Sequence, residues 1–75
     1  MYITLTMHFD NQSFDISVDS RQEIMAVYRT LYEAGRIKPL KVPHWYRSTA
    51  KECMVSAYRT FDEEGIYSGD ILTAV

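Results

Sequence analysis

The sequence predicts an α+β fold in which a mixed sheet of four to five strands packs on one helix. Two segments near the amino terminus alternate apolar and polar residues, the next segment has apolar residues at helical spacing, and short strand-like segments follow. A period of two is typical of a strand with one buried face, and spacings of three and four are typical of a helix. One helix covers one sheet face, so the other face is left for solvent or a partner.

The amino-terminal segment predicts a β-hairpin. Odd-numbered residues in 1–9 are apolar, and the even-numbered ones are more polar. Residues 10–13 are polar, and Asn11 tolerates the positive φ that tight turns require. The alternation restarts in 14–18 with Phe14, Ile16 and Val18 facing inward. These two strands should therefore pair with each other.

The following segment predicts an amphipathic helix over about 21–34. Its apolar residues form one stripe at helical spacing, namely Ile24, Val27, Tyr28 and Leu31. Ser20 is placed to cap the free amides of the first turn, with Glu23 completing a capping box. Gly35 then supplies the left-handed residue that commonly ends a helix.

The carboxy-terminal half predicts shorter elements. Residues 36–43 contain two prolines and no alternation, so we expect an ordered loop across the end of the sheet. Short strands are expected at about 44–48 and 53–56, and the last strand at 71–75 after a turn at 67–70.

A second capping box, formed by Thr60 and Glu63, precedes that turn. Because Gly65 follows so closely, the box should open only a short helical turn. The predicted core follows from all of these patterns: Ile3, Leu5, Ile16, Val18, Ile24, Val27, Tyr28, Leu31, Val55, Phe61, Ile66, Leu72 and Ala74.

Length and composition predict a single domain over residues 1–75 that remains in the cytoplasm. A chain of 75 residues with 47% apolar residues can build one thin core. The single cysteine, Cys53, excludes an intrachain disulfide. Polar residues interrupt the apolar ones at the amino terminus, unlike a signal peptide, and no apolar run approaches the length of a membrane span.

Charge is unevenly distributed although the formal net charge is only -2. One segment carries five cations and no acid: Arg36, Lys38, Lys41, Arg47 and Lys51. Clustered cations supply the sequence-independent part of RNA binding, which makes a β-sheet RNA-binding domain the alternative function. The acidic balance of the whole chain and the lack of an aromatic RNA-recognition signature argue against it.

Catalytic and metal-binding motifs are not evident. The acids 62–64 are expected in the first turn of a helical segment, where negative charges interact favourably with the positive end of the helix dipole. His8, His44 and Cys53 lack the compact spacings of zinc sites, and no nucleophile elbow or phosphate-binding loop occurs. We therefore expect no enzyme activity, no cofactor, no metal and no small-molecule substrate.

The order of elements resembles the ubiquitin β-grasp. Residues 58–62 followed by 65–72 are similar to the segment in which ubiquitin-like chains place a threonine-capped turn and their final strand. The opening Met1-Tyr2-Ile3, the dipeptide His44-Trp45, and Gly65-Ile66 with Gly69-Asp70 look most like YukD and EsaB. These are ubiquitin-like accessory proteins of the type VII (Esx) secretion system of Gram-positive bacteria.

The resemblance implies a cytoplasmic protein that contacts other components of a membrane-embedded export machine without inserting into the membrane. Ubiquitin and the sulfur carriers end in a flexible Gly-Gly tail that enters an activating enzyme. This chain ends Thr73-Ala74-Val75, so we expect it to act without conjugation.

The candidate partner-binding residues lie on the third and last strands. Tyr46 facing inward leaves Trp45 and Arg47 outside, and these two residue types are the most enriched at interface hot spots. The alternative is that Trp45 packs beneath the 36–43 loop. Ubiquitin-like proteins that this chain resembles often bind through that sheet face, which adds residues of the last strand. The predicted partner-binding set is Trp45, Arg47, Ile71 and Val75, with the loop cations Arg36, Lys38 and Lys41.

Overall fold

A computed structural model describes residues 1–38 and 41–75 of the chain. The elements in chain order are β1 (Tyr2–Phe9), β2 (Gln12–Asp19), α1 (Ile24–Glu33), β3 (Trp45–Ser48), β4 (Cys53–Ser56) and β5 (Ile71–Ala74). The predicted elements are therefore all present, with strand ends that differ by at most two residues from those expected.

The strands form one mixed sheet in the order β2-β1-β5-β3-β4. β1 and β5 are parallel, and the other neighbouring pairs are antiparallel. The helix α1 contributes Ile24, Met25, Val27 and Tyr28 to the buried core, together with inward residues of all the strands. A five-stranded mixed sheet on one helix confirms the predicted fold class.

The hairpin turn is shorter than predicted and depends on a different residue. Phe9 pairs with Gln12, so only two residues connect β1 and β2. Asp10, at φ 52°, adopts the left-handed conformation that we had expected to involve Asn11. Asparagine and aspartate both tolerate this conformation, so composition alone does not choose between neighbours.

The predicted capping box of the helix is wrong. The helix begins at Ile24, three residues after the predicted start, and its N-cap Glu23 makes no side-chain capping bond. The Ser20 hydroxyl is buried without a hydrogen-bond partner among the described residues. The amides of Ile24 and Met25 instead donate to the backbone carbonyls of Arg59 and Ala57, so a distant segment caps the helix.

The helix ends as predicted. Gly35 has φ 73°, and the Arg36 amide donates to the Leu31 carbonyl at 2.9 Å. This six-to-one bond defines a Schellman motif, which needs a residue that adopts positive φ without steric cost.

The second capping box is confirmed. The Thr60 amide donates to Glu63 Oε1 at 2.9 Å, and the Glu63 amide donates to Thr60 Oγ1 at 3.0 Å. The bond from the Thr60 amide is the largest cause of the lowered pKa of Glu63. The box opens a turn and no α-helix, as expected from the nearby Gly65.

The core is wider than predicted. Ten of the predicted residues are buried, and Ile16, Leu31 and Ala74 pack on the core while partly exposed. Within residues 1–38 and 41–75, six further apolar residues belong to it: Met7, Phe9, Met25, Ile37, Tyr46 and Ala57. Ile37 lies in the 36–43 segment predicted as an ordered loop, so this segment contributes to the core. Residues 39 and 40 of that predicted loop lie outside the described residues.

Candidate functional site

The sheet face opposite the helix is exposed along β3. Tyr46 and Ser48 are fully buried, whereas Trp45 and Arg47 alternate with them and point outward. Trp45 keeps 52% of its surface exposed. Of the two alternatives drawn from the sequence, the structure therefore agrees with an outward tryptophan.

The strand register brings the outward residues of four strands into one row. Arg47 pairs with Thr73 of β5 on one side and with Met54 of β4 on the other. Thr73 in turn pairs with His8 of β1. Directly opposed residues share a face of the sheet, so His8, Thr73, Arg47 and Met54 cross it side by side.

The apolar residues flank this row. The Val75 amide donates to the Trp45 carbonyl at 3.1 Å, which places Val75 at the Trp45 end of β3. Ile71 lies two residues before Thr73 on β5 and pairs with Thr6. Ile71 and Val75 are 40% and 69% exposed. We call Trp45, Arg47, Met54, Ile71 and Val75 the open face.

Met54 is a member of the open face that the sequence analysis missed. It is 43% exposed and lies on β4 opposite Arg47. Its outward position could have been predicted, because Val55 was predicted as core and the preceding residue, Met54, must then point to the other face. Strand order was needed to show that β4 lies beside β3.

The buried carboxylate of Asp70 joins the two strands that carry the open face. The Asp70 carboxylate accepts hydrogen bonds from the Ser48 hydroxyl, the Ala50 amide and the Ile71 amide. Ser48 ends β3, and Asp70 directly precedes β5. These bonds join the two strands that carry the predicted site residues, so the side chains start from a fixed backbone.

A stacked aromatic pair lies where the chain enters β3. The rings of His44 and Tyr58 stack with centroids 5.6 Å apart, and the Tyr58 hydroxyl is hydrogen-bonded to His44 Nδ1. Both residues are exposed.

The cations of the predicted basic segment do not share one surface. The Arg36 guanidinium lies 5.7 Å from the centroid of the Phe14 ring, and Phe14 pairs with the buried Met7 on the helix side of the sheet. Lys38 lines the same end of the molecule as Arg36, and Lys41 is exposed. Arg47 is on the opposite sheet face.

The remaining cation of that segment, Lys51, is held by a backbone group. Its ammonium donates to the Glu64 carbonyl at 2.7 Å.

Among the predicted site residues, the structure brings together Trp45, Arg47, Ile71 and Val75, and it separates Arg36 from them.

No group of three or more His, Cys, Asp or Glu side chains in residues 1–38 and 41–75 is placed to hold a metal ion. No helix in it is long and apolar enough to cross a membrane.

The fold is similar to that of solved ubiquitin-like domains. The chain superposes on the ubiquitin-like domain of Arabidopsis thaliana protein At2g32350 with a TM-score of 0.71 at 14% identity, covering 99% of this chain and 76% of that one. The UBL domain of Plasmodium falciparum Dsk2 gives a TM-score of 0.61 at 13% identity over both complete chains.

A third similar structure is the EccD5 ubiquitin-like domain from Mycobacterium xenopi. Its TM-score is 0.57 at 16% identity, covering 100% of this chain and 93% of that one. No family model matches the sequence. No curated protein matches it. The chain thus has the ubiquitin-like β-grasp fold, and at these identities the similarity establishes the fold alone.

Proposed function

We propose that this chain is a noncovalent protein-interaction module that binds a protein partner through the open face and performs no chemistry of its own. The observation that carries the proposal is the exposure of Trp45 and Arg47 together on β3. Tryptophan and arginine lead the residue types whose truncation costs most in measured interfaces. A tryptophan on an ordered strand also costs little entropy to immobilise, because only its two side-chain torsions remain to be fixed.

The apolar neighbours give this pair the surroundings that a hot spot requires. Met54, Ile71 and Val75 are large, exposed and on the same face. Contacts around a hot spot contribute by excluding water from it, even where each is nearly neutral in energy. A partner that covers these side chains would desolvate Trp45 and Arg47.

We further propose that the chain acts in the cytoplasm as an accessory component of a type VII secretion system. The resemblance of its sequence to YukD and EsaB supports this role, as does the fold that it shares with the EccD5 ubiquitin-like domain. The partner in this proposal is a component of the export machine. The roles predicted for Arg36, Lys38 and Lys41 stay predictions, and no observation favours RNA as the partner.

Site-specific photocrosslinking in the source cell tests both parts of the proposal. A photoreactive residue replaces Trp45 in one variant and Tyr67, an exposed aromatic residue in the turn before β5, in the control. We expect a discrete crosslinked protein from position 45 and not from position 67, and we expect that protein to be an export component. Identical products from both positions would refute the open face, and a partner unrelated to export would refute the secretion role alone.

A secretion assay then tests the consequence. Deletion of the gene should reduce export of a small Esx-type substrate, and the wild-type chain should restore it. The variant Arg47→Glu should fail to restore export, whereas Arg29→Glu, which makes the same charge change on the exposed side of α1, should succeed. Normal export in the deletion strain would overturn the secretion role.

A further inference from the structure

The two edges of the sheet differ in whether they can accept another strand. An edge strand presents a row of unpaired N–H and C=O groups to its surroundings. At β4 the outward amide of Ser56 already donates to Glu64 Oε2 at 2.6 Å, and Lys51 is tied to the backbone of the same Glu64. The β4 edge is therefore partly closed by the chain itself.

The β2 edge is open. The Ser20 amide donates to the Met1 carbonyl, so even-numbered residues of β2 make the hydrogen bonds to β1. Alternation in an antiparallel ladder then directs the backbone groups of Ser13, Asp15 and Ser17 away from the sheet. No other backbone or side-chain group among the described residues bonds to them. At the end of β2 the edge closes, where the Asp19 amide donates to Gln22 Oε1.

An apolar groove of about 220 Å³ runs between this edge and the helix. Its walls are Ile16 and Val18 from β2 and Val27, Thr30 and Leu31 from α1. Ile16 and Leu31 are core residues that stay partly exposed here. Side chains of a strand paired with β2 would alternate between this groove and the opposite face of the sheet.

The charge of Asp15 determines which side chains are favourable on an added strand. Its side chain is exposed on the open-face side of β2, opposite Thr6, whose hydroxyl donates to it at 2.7 Å. No ion pair to Asp15 occurs within residues 1–38 and 41–75. A cation on an added strand would lie directly beside this carboxylate, where an opposite charge is favourable and a like charge is not.

The same residue argues against a second copy of this chain as the occupant. Antiparallel pairing of two β2 strands through their open edges would place Asp15 opposite, or diagonal to, an Asp15 or Asp19 of the other copy. Like charges at these positions destabilise strand pairing, and charged side chains on edges are a common means of preventing it.

We propose that the β2 edge and its groove bind an extended peptide segment in which aliphatic residues alternate with basic ones. Main-chain hydrogen bonds to Ser13, Asp15 and Ser17 would hold the segment as a sixth strand, its aliphatic side chains would enter the groove, and a basic side chain would pair with Asp15. This site is separate from the open face and does not depend on it.

The test uses two capped nine-residue peptides, one alternating valine with lysine and one alternating valine with glutamate, titrated into the ¹⁵N-labelled chain. We expect the lysine peptide to bind at least tenfold more tightly. Amide shifts should concentrate at residues 13–17 and 27–31. Hydrogen exchange should slow at the outward amides of β2.

Charge reversal at the edge supplies the decisive variant. Asp15→Lys should weaken the lysine peptide at least tenfold and strengthen the glutamate peptide, since it inverts the charge beside the added strand. Asp62→Lys makes the same change of net charge at an exposed turn residue and should leave both affinities unchanged.

Three results would overturn the proposal. These are binding of neither peptide at millimolar concentration, shifts confined to the open face, and an equal loss of lysine-peptide affinity in the Asp15 and Asp62 variants. Sedimentation analysis can supply a fourth. A dimer whose dissociation constant changes in Asp15→Lys would show that a second copy of this chain, and not a peptide, occupies the β2 edge.

Discussion

The hydroxyl of Ser48 donates a 2.5 Å hydrogen bond to the carboxylate of Asp70, and both side chains are buried. The same carboxylate accepts from the Ala50 amide at 2.9 Å and from the Ile71 amide at 2.7 Å. A buried charge is tolerated where hydrogen bonds satisfy it. This cluster joins the end of β3 to the start of β5, so it fixes the spacing of the open face.

Removing the hydroxyl of this pair should destabilise the fold. Ser48→Ala takes one donor from a buried carboxylate, and hydrogen bonds to charged groups contribute about 1.5–3 kcal/mol. The free energy of unfolding in urea should fall by that amount. Thr49→Ala, at the neighbouring exposed position, is the control and should stay within about 0.5 kcal/mol of wild type. Equal effects at the two positions would contradict the role assigned to the Ser48–Asp70 bond.

Two predicted core leucines should differ in their contribution. Leu72 is fully buried, whereas Leu31 is partly exposed beside the β2 groove. Leu72→Ala should cost about 2–5 kcal/mol, the range for truncating a buried leucine. Leu31→Ala should cost less, since it removes less buried surface and leaves a site open to water. Urea unfolding of both variants checks the order, and a larger loss at Leu31 would contradict the burial pattern.

Local periodicity was sufficient to predict the strands and the helix. The inward residues of β1 and β2 were identified because a period of two leaves no choice of face once one residue is buried. The same rule applied to β3 put Trp45 and Arg47 on one face but left open whether Trp45 packs beneath the 36–43 loop, and on β4 it could have identified Met54.

Features that depend on contacts between distant segments could not be predicted. Ser20 and Glu23 had the residue types of a capping box, yet the 57–59 backbone reaches the first helical amides and takes that role. Ile37 lies in a proline-containing loop without any periodicity, so its burial became visible only in the folded structure. The groove beside β2 likewise required knowledge that β2 is an edge strand.

The buried hydroxyl of Tyr46 contributes little or nothing to stability. It has no hydrogen-bond partner among the described residues, although the ring lies in the core and meets Phe9 edge-on. Leaving a polar group unpaired in the interior is unfavourable, so Tyr46→Phe should leave the free energy of unfolding unchanged or raise it by about 1 kcal/mol. Urea unfolding at neutral pH is the measurement. A loss above about 1 kcal/mol would show that the hydroxyl has a partner.

Tyr46 should also make the fold sensitive to alkali. Burial raises the pKa of its phenol above the ordinary value of 10.0. The unfolded chain therefore releases this proton at lower pH than the folded chain does, and deprotonation favours unfolding. Below pH 10 the phenol is neutral in both states and its ionisation does not affect the free energy of unfolding, whereas stability is lost as pH rises further because the unfolded chain ionises first. The melting temperature of Tyr46→Phe should fall less steeply above pH 10 than that of wild type, and parallel curves would contradict the assignment.

Affinity for the crosslinked partner tests the account most directly. Trp45→Ala and Arg47→Glu should each weaken binding by about 30-fold or more, the equivalent of a 2 kcal/mol hot spot. Their melting temperatures should remain near wild type, because both side chains lie outside the core. Arg29→Glu should bind as wild type does. Unchanged affinity in correctly folded Trp45 and Arg47 variants would contradict binding through the open face.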